Sequence, residues 1–333
     1  MSRETVLALL RLEEGEFVSG EHLSRRLGLS RAAVWKAVDA LRRDGYNIEA
    51  RTGLGYRLMA APDVLTEEEI RSLLGKTETV GRKLCCFSRI GSTNTYAKGI
   101  AFTDAPDGTV VIANSQTAGR GRLNRSFLSP PDQGIYLSVL LRPDLPPERL
   151  TPVTAMAGVA VCDAVERVCG VRPQLKWPND PILNNKKLCG ILTEVSVEAE
   201  SGHVQCLVLG IGLNVLQGPG DFPSELGDIA TSLSMALHRN ISRPALAAAE
   251  IEALDRLYAD LRAGDLSRYL EIYRRDCVNL GKTVQLSGAD GSREIATAEG
   301  IDDTFGLIVR DQAGRSRIIR SGEVSVRGMY GYV

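Results

Sequence analysis

Between Ser19 and Leu41 the sequence admits little besides two short helices meeting at a tight turn. Ser19 is a good N-cap, and Leu23 and Leu27 fall on one face of the helix it opens. Gly28-Leu29-Ser30 breaks that helix, glycine being the residue that most readily takes the left-handed conformation of a helix end. Ser30 caps a second helix in which Val34, Val38 and Leu41 recur at i, i+4 and i+7. Asp44-Gly45 ends it. Tyr46 to Leu58 then reads as two short strands joined around Thr52-Gly53-Leu54-Gly55.

Helix, glycine-containing turn, helix is the helix-turn-helix signature. The second helix presents Ser30, Arg31, Trp35, Lys36, Asp39 and Arg42 away from its apolar stripe. Arginine and lysine there suit phosphates and guanine edges, and Arg51 near the hairpin tip suits the backbone, as a wing would. Trp35 is the discordant residue, a large ring that fits equally well against the hairpin. The same geometry serves protein-interaction domains, so the pattern alone leaves both uses open.

The formal net charge of -1 confines any nucleic-acid binding to a local patch. A chain of 333 residues, 44% hydrophobic and 24% charged, suits two or three globular domains. The seven cysteines form no Cys-x-x-Cys pair, and the three histidines are far apart in sequence. Reduced thiols in a cytoplasmic protein are expected, without a zinc motif or a histidine triad. No signal-peptide pattern and no membrane-length apolar run are present.

After a linker at Ala60-Ala61-Pro62, Thr66-Glu67-Glu68-Glu69 has the form of a capping box. Strand and helix textures then alternate: strands at Val110-Val111-Ile112, 135–141, 190–197 and 204–213, helices over 151–168 and 243–261. From about Asn279 short strand runs separated by Gly and Asp predict a small all-β domain.

Three stretches of the middle region carry chemistry. Gln116 to Arg125 is a basic loop in which Gly119 and Gly121 allow close backbone approach and Arg120, Arg122 and Arg125 supply positive charge for an anion. It is not a P-loop. Gly75-Lys76-Thr77 and Gly281-Lys282-Thr283 fail too, with Ile70 and Asp276 where the first glycine is required. Lys176-Trp177-Pro178-Asn179-Asp180-Pro181 is a rigid turn able to aim Asn179 and Asp180, followed by Lys187 at a strand entrance. Gly210 and Gly212 lie on one face of a strand and leave a slot for something flat. Taken singly, each also reads as an ordinary loop, turn or bulge.

Together these pieces resemble the biotin–protein ligases, specifically the bifunctional bacterial type that is also the biotin operon repressor. The likeness rests on Ser92-Thr93-Asn94, Gln116 with Gly119-Arg120-Gly121-Arg122, Ile135-Tyr136-Leu137-Ser138, Lys176 to Asp180, Lys187-Leu188-x-Gly190-Ile191 and Gly210-x-Gly212-x-Asn214, in the family's order. It extends to Ser321-Gly322-Glu323-Val324-Ser325, which looks like the family's last strand.

The resemblance implies an α+β multidomain protein: an N-terminal winged helix-turn-helix over 1–62, a central α/β ligase domain with a mixed sheet over 63–275, and a small SH3-like β-barrel over 276–333. It implies that Ser92, Thr93, Asn94, Gln116, Arg120, Gly121, Arg122, Tyr136, Lys187, Gly190, Gly210 and Gly212 bind biotin. Arg120, Arg122, Arg125, Lys176, Asn179 and Asn214 would serve the nucleotide, and Arg122, Lys187 and Asp180 the catalysis. ATP, with Mg²⁺ on no assigned ligands, and a biotin carboxyl carrier protein domain follow as reactants. Operator DNA and a ligand-promoted homodimer follow as partners. Asn124 departs from the family, which has Gly there. A lipoate ligase would show Arg-Arg-x-x-Gly-Gly-Gly, absent here. The remaining rival is a regulator that uses a ligase-like domain only as a metabolite sensor.

Overall fold

The computed structural model describes residues 2–13, 15–122, 125–198, 200, 202–288, 292–320, 324–328 and 333. The chain divides into two compact units, residues 1–75 with 242–248, and residues 76–241 with 249–333.

The first unit contains α1 (Ser2–Leu12), α2 (Gly20–Leu27), α3 (Arg31–Arg43), the antiparallel pair β1 (Asn47–Arg51) and β2 (Gly55–Ala60), and α4 (Glu67–Leu73). The expected caps form: Ser19 accepts from the His22 amide, Ser30 accepts from the Ala33 amide, and Gly28 ends α2 at φ 65°. Val34, Val38 and Leu41 are buried with Leu23, Ile48 and residues Val6, Leu7 and Leu10 of α1. Gly55 has φ 107°, and a Cβ there would lie 2.1 Å from the Val18 carbonyl oxygen, so the bridge between Val18 and Tyr56 requires glycine.

The capping box forms only in part. Thr66 accepts from the Glu69 amide, but the Glu69 carboxylate turns inward to Arg11 and the Tyr46 hydroxyl. Burial, reinforced by the Glu69 carboxylate, holds the Tyr46 hydroxyl well above its usual range. A buried carboxylate needs a cation and a donor more than a helix end needs a second cap. These contacts tie α4, beyond the boundary expected at residue 62, to α1 and to the segment between α3 and β1. Asp63 is likewise held by Arg243, which donates from its amide and its Nε at 2.8 and 2.7 Å.

In the second unit β3 (Leu84–Phe87), α5 (Thr93–Ile100), β4 (Thr109–Ala113), β5 (Gly134–Leu141) and α6 (Val153–Cys169) are followed by β6 (Gln174–Lys176), β7 (Asp180–Leu183), β8 (Lys186–Lys187), β9 (Cys189–Val197) and β10 (Val204–Asn214). Next come α7 (Leu233–Leu237), α8 (Arg243–Ala263), which belongs here from residue 249, and α9 (Ser267–Asp276). The main sheet has the order β3-β4-β5-β10-β9, with β3 and β4 parallel and the other pairs antiparallel. It is therefore mixed, as expected. α5 packs on one face and α6 on the other. β6, β7 and β8 form a small separate sheet.

The last elements are β11 (Thr283–Gly288), β12 (Arg293–Ile301), β13 (Leu307–Asp311), β14 (Ser316–Ile319) and β15 (Val324–Gly328), an antiparallel sheet of order β14-β13-β12-β11-β15. Val284, Leu286, Ala296, Ala298, Leu307 and Val309 are its buried side. Ser321, Gly322 and Glu323 of the expected last strand lie outside the described residues.

Candidate active site

Strand register builds the floor of the site. Gly212 stands opposite Tyr136 of β5 and Gly190 of β9, and Gly210 stands opposite Ser138 and Leu192. Side chains alternate along a strand, so both rows face the same side. One row carries two adjacent glycines, and a flat area of backbone is left bare. Phe127, from the end of the basic loop, lies on it. A Cβ on Gly212 would sit 2.4 Å from the Phe127 ring and one on Gly190 3.0 Å from it. The sequence reading found the slot but not this ring. Its only local signal is an aromatic residue shortly after Gly119-Arg120-Gly121-Arg122. Tyr136 is fully buried behind it, its hydroxyl donating to the Pro130 carbonyl at 3.0 Å and its ring edge-on to Phe127.

A chain of hydrogen bonds borders the floor. Ser92 caps α5 by accepting from the Thr95 amide. The Thr93 amide donates to Gln116 Oε1 at 2.8 Å, and Gln116 Nε2 donates to Ser129 Oγ at 2.9 Å. Asn94 lies over Gly210, where a Cβ would come within 2.0 Å of its Oδ1. Gly119 allows the loop to close on itself, since a Cβ there would be 2.5 Å from the Phe127 carbonyl oxygen.

The cations arrive from two directions. Arg122 Nη1 donates to Asn179 Oδ1 at 2.9 Å, and buried Asn179 donates on to the Ile191 carbonyl at 2.7 Å. Lys187 Nζ is 2.6 Å from Asp180 Oδ1, and its Cε is 3.6 Å from where a Gly190 Cβ would be. The turn is anchored by Trp177, whose amide donates to Asn279 Oδ1 and whose Nε1 donates to the Phe305 carbonyl. Arg120 and Arg125 are exposed, Gly121 donates its amide to the Arg125 carbonyl at 2.7 Å, and Lys176 is buried. Asn214 is buried, its amide spanning the Thr231 carbonyl and the Gln217 amide. The structure thus brings Arg122, Asn179, Asp180, Lys187 and the glycines together, and places Asn214 as a support of the following loop. Asn124 lies outside the described residues.

Thiol chemistry has no foothold in this site. Burial pushes the Cys189 and Cys162 thiols up, against the thiolate a nucleophile needs. Among the described residues no three His, Cys, Asp or Glu side chains are grouped so as to hold a metal ion.

On the head, Ser30 caps α3, Arg31 pairs loosely with Glu21 at 3.2 Å, and Lys36 is exposed. Trp35 is 57% exposed, which removes the alternative of burial against the hairpin. Arg42 turns back and donates twice to the Ile48 carbonyl, so it braces the hairpin. Arg51 pairs with Glu49 at 2.7 Å and lies over the Phe17 ring.

A family model for the Biotin/lipoate A/B protein ligase family matches residues 86–214, and a model for an HTH domain matches residues 2–57. The chain is 38% identical over 316 residues to Bifunctional ligase/repressor BirA of Bacillus subtilis (strain 168), spanning 95% of this chain and 96% of that protein. The chain belongs to the bifunctional biotin–protein ligase/repressor family. Bifunctional ligase/repressor BirA of Escherichia coli (strain K12) is 30% identical over 95% of both chains. The biotin protein ligase from Aquifex aeolicus, solved in complex with biotin and ATP, superposes with a TM-score of 0.64 at 27% identity, covering 74% of this chain and 99% of that one. This family member therefore carries the enzyme fold and the DNA-binding head on one chain. No helix among its described residues is long and apolar enough to cross a membrane.

Proposed function

We propose that the chain activates biotin with ATP to biotinyl-5′-AMP, transfers the biotinyl group to a lysine of a biotin carboxyl carrier protein domain, and uses the adenylate to control DNA binding by its head. The observation that carries the reading is Lys187. Its ammonium is on Asp180 while its stem runs beside the glycine floor, at the edge of a slot bordered by neutral polar groups.

The division of labour follows from charge. A urea ring is neutral, offers two N–H donors and one acceptor, and suits the chain of Thr93, Asn94 and Gln116. The carboxylate end of the same molecule suits Lys187 and Arg122. Arg120, Arg122, Arg125 and Asn179 face the phosphates, Lys176 from the buried side of the turn. Two anions repel, and fixed cations hold them in reach.

In the first step a biotin carboxylate oxygen bonds to the α-phosphorus, and the α–β bridging P–O bond breaks with its electron pair leaving on pyrophosphate. In the second, a neutral lysine amine of the carrier bonds to the acyl carbon, AMP leaves with the electron pair of the C–O bond, and the amine loses a proton. Asp180 is placed to orient that amine or accept its proton once Lys187 engages the substrate. Mg²⁺ enters as counter-ion of the nucleotide. Asp180 and Asn179, whose oxygens are held here by Lys187 and Arg122, would hold it once those cations turn to the substrates, and it would supply further positive charge at the phosphates. Positioning and charge supply most of the rate, so no covalent enzyme intermediate is needed.

Biotin-dependent exchange of pyrophosphate into ATP, together with the mass shift of a biotin carrier domain, tests the reading. Biotin binding without either activity would make the chain a metabolite sensor only.

A further inference from the structure

We infer that Glu194 is a positioning residue whose carboxylate sets the hydrogen-bonding sense of Asn94 and Ser138, and thereby the pattern of donors and acceptors shown to a cyclic urea. The inference rests on the reading that this pocket holds biotin.

Glu194 lies on β9, on the face covered by α5. Its Oε1 accepts from Lys98 Nζ at 2.6 Å and its Oε2 from Asn94 Nδ2 at 2.9 Å. Partial burial alone would raise its carboxyl pKa. Hydrogen bonds from Lys98 and Asn94, with the charges of Lys98 and Arg120, outweigh that and hold it below the usual carboxylate range. An ionised carboxylate only accepts. The NH₂ of Asn94 must therefore face Glu194, where the Leu192 carbonyl, at 3.5 Å, adds a weaker acceptor.

The consequence runs inward. With its NH₂ outward, Asn94 turns Oδ1 toward Ser138 Oγ, 2.6 Å away. Ser138 is fully buried and its hydroxyl has one proton, which must go to that oxygen. Thr93 Oγ1, 2.7 Å from Ser138 Oγ, has its own proton directed to Gln116 Oε1 at 3.1 Å and so lies outside this chain of choices. One surface-edge carboxylate thus sets the amide sense of Asn94 and the proton of Ser138. Among the described residues the Leu192 carbonyl favours the same sense of Asn94, but at 3.5 Å it is the weaker of the two acceptors.

Lys98 makes the inference testable. In Glu194→Gln, the ammonium takes the new amide oxygen, so the new NH₂ faces Asn94 and drives it to flip. Biotin affinity should fall about tenfold, the scale of one hydrogen bond of reversed sense, with kcat at saturating biotin within about twofold. In the double variant Lys98→Met/Glu194→Gln the new amide is free to turn its oxygen to Asn94, and affinity should recover to within about threefold. A merely structural ion pair predicts the opposite, with the double variant no better than the single. Glu194→Ala, which leaves Asn94 free to take either sense, should fall between wild type and Glu194→Gln, and it replaces the single variant if that one does not fold.

Calorimetry with biotin reads all of these, and thermal midpoints check the fold. Affinity of Glu194→Gln within twofold of wild type, or no recovery in the double variant, overturns the inference. Asn94→Ala separates the levels. If it too binds biotin normally, the placement of biotin has failed; if it alone weakens binding, only the role of Glu194 has.

Discussion

The Lys187 ammonium lies 2.6 Å from Asp180 Oδ1, and the two side chains are 31% and 15% exposed. A rigid Trp-Pro-Asn-Asp turn and a two-residue strand hold the pair together across a tight hairpin. The pair keeps the cation at the edge of the glycine floor and supplies a carboxylate that an anionic substrate must displace.

Lys187→Ala should weaken biotin binding by about 10- to 100-fold, the range of a lost charged hydrogen bond, because Asp180 would then face the substrate carboxylate unpaired. Lys187→Ala/Asp180→Asn should recover part of that loss by removing the repulsion. Calorimetry on both variants checks it. Equal affinity of Lys187→Ala and wild type would place the lysine outside the site.

Arg122→Gly removes the side-chain bond that joins the basic loop to the turn, the 2.9 Å contact with Asn179. Adenylate should still form but escape faster, by about 10- to 100-fold for a lost charged hydrogen bond. Filter-separated release of labelled adenylate measures the rate. Retention as long as in wild type would remove Arg122 from the closing loop.

Glu250, in the middle of α8, is fully buried, and neither of its carboxylate oxygens has a partner among the described residues. Burial pushes its carboxyl from 4.5 up to about 8. The folded chain therefore holds this proton more tightly than the unfolded one. Stability from this group is full below pH 4.5, is lost as pH rises through the window to about 8, and stays lost above it. Glu250→Leu should raise the thermal midpoint, by more at pH 8 than at pH 5, with a gain on the order of a few kcal/mol at the upper end. A gain independent of pH would mean that the carboxyl is not the cause.

On α3, Lys36→Ala should lower DNA affinity and reduce the salt slope by about 0.9. Trp35→Ala should lower affinity for specific sites while leaving stability unchanged, as its exposure requires. Arg42→Ala should instead lower the melting temperature, since it braces Ile48. Titrations at several salt concentrations, beside melts, separate the three. A stability loss in Trp35→Ala with unchanged DNA binding would reverse the assignment.

Biotin with MgATP should strengthen binding to an inverted repeat by promoting a homodimer, and unmodified carrier domain should weaken it by consuming the adenylate. A ligand shifts dimerisation only through its differential affinity for the two states. Sedimentation with and without adenylate, followed by operator binding at fixed salt, measures both. DNA affinity indifferent to the adenylate would leave a ligase with an unregulated head.

The sequence by itself determined whatever is set within a few residues. Ser19, Gly28 and Ser30 cap and break helices through their own backbone neighbours. The apolar periods of α3, α6 and α8 require only the local helix, and the order of the glycine, arginine and Lys-Trp-Pro-Asn-Asp motifs was legible in one dimension. Only the tertiary structure decided what meets across strands and elements. Gly212 and Gly190 become one bare floor because β10 and β9 pair in that register. Phe127 lies on that floor because Gly119 lets its loop fold close. Glu69 leaves its capping role because Arg11 and Tyr46 are brought within reach, and Glu250 is stranded because α8 is buried on the side that carries it. Asn94 acquires a fixed sense only where β9 delivers Glu194. Burial and hydrogen-bond partnership belong to pairs of residues distant in the chain, and no local pattern encodes which pairs the packing will select.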